Sequence, residues 1–170
     1  KKPGDGKIIG NSTPRYAYGI TAGCEYKGFD FEMFWQGIGK RDWFPGSGNS
    51  AYWGFTDEWQ TPLTTSRDYW TPERTNAYFP KLGWSNRGNR VVSSRYLQNA
   101  SYCRLKNVTL GYTIPKAILN KIGISRLRIY VTGENLFTFT SLIKSFDPET
   151  LNNMTYPINK KVAVGLNLTF

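Results

Sequence analysis

The stretch Lys161-Val162-Ala163-Val164-Gly165-Leu166-Asn167-Leu168-Thr169-Phe170 alternates without a break. Large apolar residues hold every even position, and Lys, Ala, Gly, Asn and Thr hold the odd ones. A strand sends successive side chains to opposite faces, so this segment has one greasy face and one small or polar face. The same period runs from Arg15 to Tyr26, where Tyr16, Tyr18, Ile20, Ala22, Cys24 and Tyr26 share a face. Lys27-Gly28 then supplies a two-residue connection with a glycine free to take positive φ, the signature of a tight hairpin. The partner strand sets Phe29, Phe31, Met33 and Trp35 against Asp30, Glu32, Phe34 and Gln36.

Alternation returns from Ser101 to Thr113. Val108, Leu110 and Tyr112 share a face, while Cys103 and Leu105 fall in the opposite phase. That shift near Lys106-Asn107 points to a bulge, or to a strand rising out of its apolar zone. Pro115 to Gly123 predicts one or two helical turns, with proline at the start and glycine at the end. In the next strand Leu127, Ile129 and Val131 alternate with Arg126, Arg128, Tyr130 and Thr132. Between Ile38 and Asn99 the period is lost. That segment holds five of the six tryptophans, Trp43, Trp53, Trp59, Trp70 and Trp84, with Pro45, Pro62, Pro72 and Pro80 among them. A connection this long inside a compact domain points to a functional loop. A second, shorter loop is expected over 138–159.

The totals agree with β structure. Aromatics make up 16% of the 170 residues and there are 17 glycines, on a mean hydropathy of −0.48. Many aromatics on a glycine-rich, polar background suit strands better than helices. No apolar run approaches the roughly 18 residues of a membrane helix, which leaves a barrel of alternating strands open. The net charge of +10 raises nucleic acid as a partner. The basic residues are scattered, however, where nucleic-acid binders gather them into a patch or arm, so no nucleic-acid partner is expected. Histidine is absent, which removes the commonest general base and metal ligand. Cys24 and Cys103 match no metal spacing. No cofactor, metal or catalytic residue is expected, and the chain does not read as an enzyme. Asp30 and Glu32 suggest paired acids for glycoside cleavage only until that chemistry's geometry is considered, since its two carboxyls must flank a bond.

The connections run short, long, short, long. Outer-membrane barrels show this asymmetry, with short periplasmic turns and long outer loops, and they need strands of about 9–11 residues. The fold class expected is therefore all-β, with about five antiparallel strands of a transmembrane barrel.

Longer runs carry a resemblance. Asn99-Ala100-Ser101-Tyr102-Cys103-Arg104-Leu105-Lys106-Asn107-Val108-Thr109-Leu110-Gly111-Tyr112-Thr113-Ile114-Pro115 resembles the C-terminal region of SusC/RagA-type TonB-linked outer-membrane transporters of Bacteroidetes. So do Leu127-Arg128-Ile129-Tyr130-Val131-Thr132-Gly133-Glu134-Asn135-Leu136-Phe137, Phe146-Asp147-Pro148-Glu149 and the closing Gly165-Leu166-Asn167-Leu168-Thr169-Phe170. Upstream, Ile9-Gly10-Asn11-Ser12-Thr13-Pro14-Arg15-Tyr16 and Tyr26-Lys27-Gly28-Phe29-Asp30 are similar to the same family.

The resemblance implies a segment, residues 1–170, of a 22-stranded transporter barrel with a plug in its lumen. Such a transporter imports oligosaccharides or peptides with a SusD-like surface lipoprotein as lid and TonB as energy source. It implies the outer membrane as location, with outer-membrane lipid and the barrel-assembly machinery as further partners. Signal peptide, TonB-contacting segment and plug fall outside these residues, and five strands alone are not expected to transport. On this reading 38–99 and 138–159 are extracellular, and Asp30, Glu32, Arg128 and Asn167 face the lumen. Phe170 is the aromatic read during barrel assembly. Tyr16, Tyr18, Tyr112 and Tyr130 are candidates for the aromatic girdles at the membrane interfaces, or else for packing inside the wall. Trp43, Trp53, Trp59, Trp70 and Trp84 are candidates for contact with ligand or lid, against the alternative that these rings pack a core of the loop's own. The competing function is a secreted or periplasmic carbohydrate-binding β-sandwich, in which the greasy strand faces turn inward.

Overall fold

A computed structural model describes residues 6–54, 61–83, 87–119, 123–151 and 155–170. The chain divides into two compact units. One comprises residues 16–39, 102–140 and 158–170, and the other residues 1–15, 40–101 and 141–157.

The first unit is an antiparallel sheet. Strands β1 (Ala17–Tyr26) and β2 (Phe29–Ile38) form the expected hairpin. Lys27 and Gly28 both have positive φ, 49° and 87°, the primed turn whose twist matches that of its strands. Within the second unit's excursion lie β3 (Asp42–Trp43), the single helical turn α1 (Ser50–Trp53) and β4 (Gln98–Asn99). The sheet resumes with β5 (Tyr102–Thr113) and, after the helical turn α2 (Lys116–Leu119), continues through β6 (Arg126–Glu134), β7 (Thr138–Thr140) and β8 (Lys161–Thr169). Gly123, φ 68°, follows α2 at the position where glycine was expected.

The strand order is β1-β2-β5-β6-β8, with β7 paired to the first part of β5 beyond the end of β6. The sequence places a loop from residue 138, yet Thr138–Thr140 is a strand in register with Arg104, Cys103 and Tyr102, so the loop begins at 141. Asn135, φ 54°, interrupts the alternation just before it, and a three-residue strand is too short to show a period of its own.

Register settles which side chains share a face. Asp30 stands opposite Gly111, Gly111 opposite Tyr130, and Tyr130 opposite Gly165. Glu32 stands opposite Thr109, and Arg128 opposite Asn167. These residues form a polar face. On the other face lie Ile20, Cys24, Phe31, Met33, Val108, Leu110, Ile129, Val131, Val164 and Leu166. The two halves of β5 agree only because of one bulge. Phe34 pairs with Asn107 but Trp35 with Leu105, so Lys106 is the extra residue, where the sequence predicted it. It returns Leu105 and Cys103 to the apolar face.

That apolar face is open. Val162, Val164 and Leu166 are 69%, 74% and 60% exposed, and Ile20, Leu110 and Val131 are exposed as well. Aromatic residues collect at its two ends. Tyr26, Phe29 and Tyr112 are adjacent in register near the Lys27-Gly28 turn, with the Phe29 and Tyr112 rings 4.5 Å apart. At the other end Tyr18 crosses Gly37 toward the Tyr102 carbonyl, and Trp35 stacks on Phe139 at 6.0 Å. Among the girdle candidates Tyr18 and Tyr112 are on this face, whereas Tyr130 is on the polar one.

Deleting Lys106 removes the phase correction, so Tyr102–Leu105 would turn their side chains to the wrong faces. In the complete receptor this deletion is expected to abolish assembly, read as loss of the compact, heat-sensitive form in electrophoresis. Lys106→Ala keeps the extra residue and should assemble.

Candidate functional site

The sheet's polar face brings charged side chains together from neighbouring strands. Arg128, on β6, reaches across β5 to Asp30 on β2 and makes a two-pronged ion pair. Its Nε donates to Oδ1 at 2.9 Å and its Nη2 to Oδ2. The planar guanidinium fits a carboxylate in this fork. Both side chains are about three-quarters or more buried, 19% and 26% exposed.

The pair has room only because the strand between them carries Gly111. A Cβ there would stand 2.5 Å from Asp30 Oδ1 and 2.6 Å from Arg128 Nη2. Next along the same register line, Tyr130 lies down over Gly165 on β8, where a Cβ would meet the ring at 2.2 Å. The Arg128 guanidinium sits 4.8 Å from the centre of the Tyr130 ring, a cation–π contact. Two glycines thus let Asp30, Arg128 and Tyr130 lie flat across four strands, β2, β5, β6 and β8.

All four lumen candidates come together here. An open trough of about 1080 Å³ is lined by Asp30, Glu32, Arg128 and Asn167, with Glu25 and Arg126 beside them. Cross-strand contacts continue the polar surface, through Thr109 Oγ1 to Thr132 Oγ1 at 3.1 Å and Lys161 to Glu134 at 3.7 Å. Reading the sequence singled out the charged residues, took Tyr130 as a girdle or wall-packing candidate and set Gly165 on the small, polar face of its strand, but did not anticipate the side chains that lie over Gly111 and Gly165. A glycine inside a strand pattern signals close approach of a neighbour, and that was the available clue.

The tryptophan-rich excursion belongs to the second unit and has a core of its own. Asp42 and Trp43 pair with Asn99 and Gln98, so the excursion closes on itself near its ends. Asn49 caps α1, its side chain accepting from the Tyr52 amide at 2.9 Å. Gly54, φ 78°, ends that turn with its N–H on the Ser50 carbonyl. Tyr52, Trp53, Phe79, Tyr96 and Ala100 are buried together. Trp53 is 3% exposed and its Nε1 donates to the Gly46 carbonyl at 2.7 Å. Its ring meets Tyr96 edge-on at 4.8 Å and Tyr52 at 4.9 Å. Trp43 packs against this core, and Trp70 is half-buried. Trp59 and Trp84 lie outside the described residues. The Tyr52 hydroxyl pairs with that of Tyr78 at 2.8 Å, and Gln98 donates to Tyr78 at 2.5 Å. Burial, then the Tyr78 hydrogen bond, pushes the Tyr52 phenol far above its ordinary value, so it stays un-ionised. Among the described residues no group of three or more His, Cys, Asp or Glu is placed to hold a metal ion.

A double-mutant cycle of Asp30→Asn and Arg128→Met should give a coupling of about 1–2 kcal/mol, between the values for an exposed pair and a charged hydrogen bond. Gly111→Ala alone should remove most of that coupling. Urea unfolding in detergent measures both. Trp53→Ala should cost about 3–5 kcal/mol within the excursion, read as faster amide exchange there while the sheet is unchanged.

No family model matches the chain. Individual relatives do. TonB-dependent receptor P3 of Formosa agariphila is 30% identical over 98% of this chain. TonB-dependent receptor SusC of Bacteroides thetaiotaomicron is 28% identical over 89% of it. The chain spans 17% and 15% of the lengths of these two relatives. Among solved structures, the RagAB peptide importer in its closed-closed state matches with a TM-score of 0.74 and 27% identity, over 96% of this chain and 18% of that one. In sequence and fold together, the chain matches the C-terminal part of the barrel of SusC/RagA-type TonB-dependent receptors.

Proposed function

We propose that this chain forms part of the wall and two outer loops of an outer-membrane nutrient importer, which takes up oligosaccharides or peptides with a SusD-like lipoprotein and draws energy through TonB. The observation that carries this reading is the uncovered apolar face of β8 and its neighbours, set against a polar face with a satisfied ion pair. A soluble sandwich would bury the apolar face under a second layer, whereas a membrane barrel turns it to lipid and keeps the polar face wet. The aromatic rows support the same placement. Tyr18 to Tyr26 covers about 26 Å of strand, or about 20 Å of height at a 40° tilt, against an apolar band about 25 Å tall.

Residues 38–99 and the second loop then lie outside the cell, and Lys27-Gly28 and α2 on the periplasmic side. Asp30, Glu32, Arg128 and Asn167 face the lumen, and Phe170, 85% exposed, is offered to the assembly machinery. In the excursion the reading favours Trp70 over Trp53 for ligand or lid contact, because Trp53 spends its ring on the loop's own core. The relatives are receptors and transporters, and the chain's part is structural, not enzymatic. Transport belongs to the complete receptor, since five strands leave edges that lipid cannot satisfy.

The test compares the two faces of one strand in the complete receptor. Leu166→Arg should destabilise the barrel by about 2–4 kcal/mol if it lies at mid-bilayer, and Asn167→Arg should be tolerated. Equal tolerance at both positions would refute the membrane placement.

A further inference from the structure

We propose that residues 141–151 are clipped onto the tryptophan-rich excursion through Phe146, so that the two loops open and close as one body. This goes beyond the transport reading and does not depend on what is carried. The two stretches are separated in sequence by three strands of the sheet, yet they share one core. Leu142, Phe146 and Leu151 are 5%, 8% and 9% exposed and belong to the same buried cluster as Tyr52, Trp53 and Phe79. The Phe146 ring lies 5.1 Å from Trp43 and 6.1 Å from Tyr52. Tyr52 in turn touches Trp53 and Phe79 edge-on. Phe146 therefore stands one contact away from both sides of the excursion's centre.

Polar contacts repeat the connection. Thr65 and Ser145 pair their hydroxyls at 2.7 Å, and Ser141 Oγ donates to the Asn99 carbonyl at 3.4 Å. The second loop also holds a conformation that its own backbone does not favour. Asp147 accepts from the Glu149 amide at 2.9 Å, the Leu151 amide reaches the Asp147 carbonyl at 2.9 Å, and Leu151 has φ 48°. A leucine avoids the left-handed region unless something else holds it there. Here the holding is the burial of its side chain in the core that both loops share. Undocking would release that constraint and expose Trp43 and Tyr52 at once, so opening is cooperative across both loops.

Amide exchange in the complete receptor tests this. The Trp53, Phe79 and Ala100 amides report on the first loop, through hydrogen bonds to the Asn49, Asp68 and Arg41 carbonyls. The Phe146 and Leu151 amides report on the second. Phe146→Ala should speed exchange at least tenfold in both sets and leave β5 and β6 unchanged. Tyr52→Ala should likewise speed exchange at Phe146 and Leu151. Acceleration confined to the loop carrying the substitution, in either variant, would overturn the proposal. If Phe146→Ala fails to assemble, Phe146→Leu is read in the same way, with about threefold acceleration in both loops expected and a change in residues 141–151 alone overturning it.

Discussion

Phase is the constraint on which the sheet depends. The strands keep most of their large apolar side chains on one side, and every register pairing must preserve that choice from β1 to β8. A one-residue slip would exchange the faces completely. The chain contains one place where alternation in the sequence would break the rule, and the extra residue Lys106 absorbs it. The bulge therefore serves the same end as the register, which is to keep one face apolar and the other polar.

Glycine has a second use in this wall. At Gly111 and Gly165 the missing side chain is replaced by a neighbour's, with the Asp30–Arg128 pair laid over one and Tyr130 over the other. On the opposite face Tyr18 covers Gly37 in the same manner. Strand glycines ordinarily weaken a sheet because they pack nothing. Covering them with side chains from the adjoining strands restores the lost contact and ties strands together that are not adjacent. The charged pair is then held against the wall, with its hydrogen bonds made within the sheet.

The excursion follows a different principle. Its described residues form no lengthy strand or helix to bury a face, and its stability rests on edge-to-face aromatic contacts around Tyr52 and on hydroxyl and amide groups that satisfy one another. Aromatic rings bury much area with few rotatable bonds. A segment poor in regular structure can therefore form a core with comparatively few anchors.

The sequence by itself determined the strands, the Lys27-Gly28 turn, the bulge and the membership of each face, because a period of two is a local property of the chain. It also singled out Asp30, Glu32, Arg128 and Asn167 as residues of the polar side. It missed the short strand Thr138–Thr140 and the closing pair β3 and β4, since two or three residues carry no period. Only the tertiary structure decided that Arg128 reaches Asp30 across Gly111, that the Tyr130 ring lies down over Gly165, and that Phe146 joins the core around Tyr52. Those contacts join residues 35 to 98 positions apart, and what selects them is the lateral order of the strands and the space a glycine leaves. Neither is written in the alternation of any one strand.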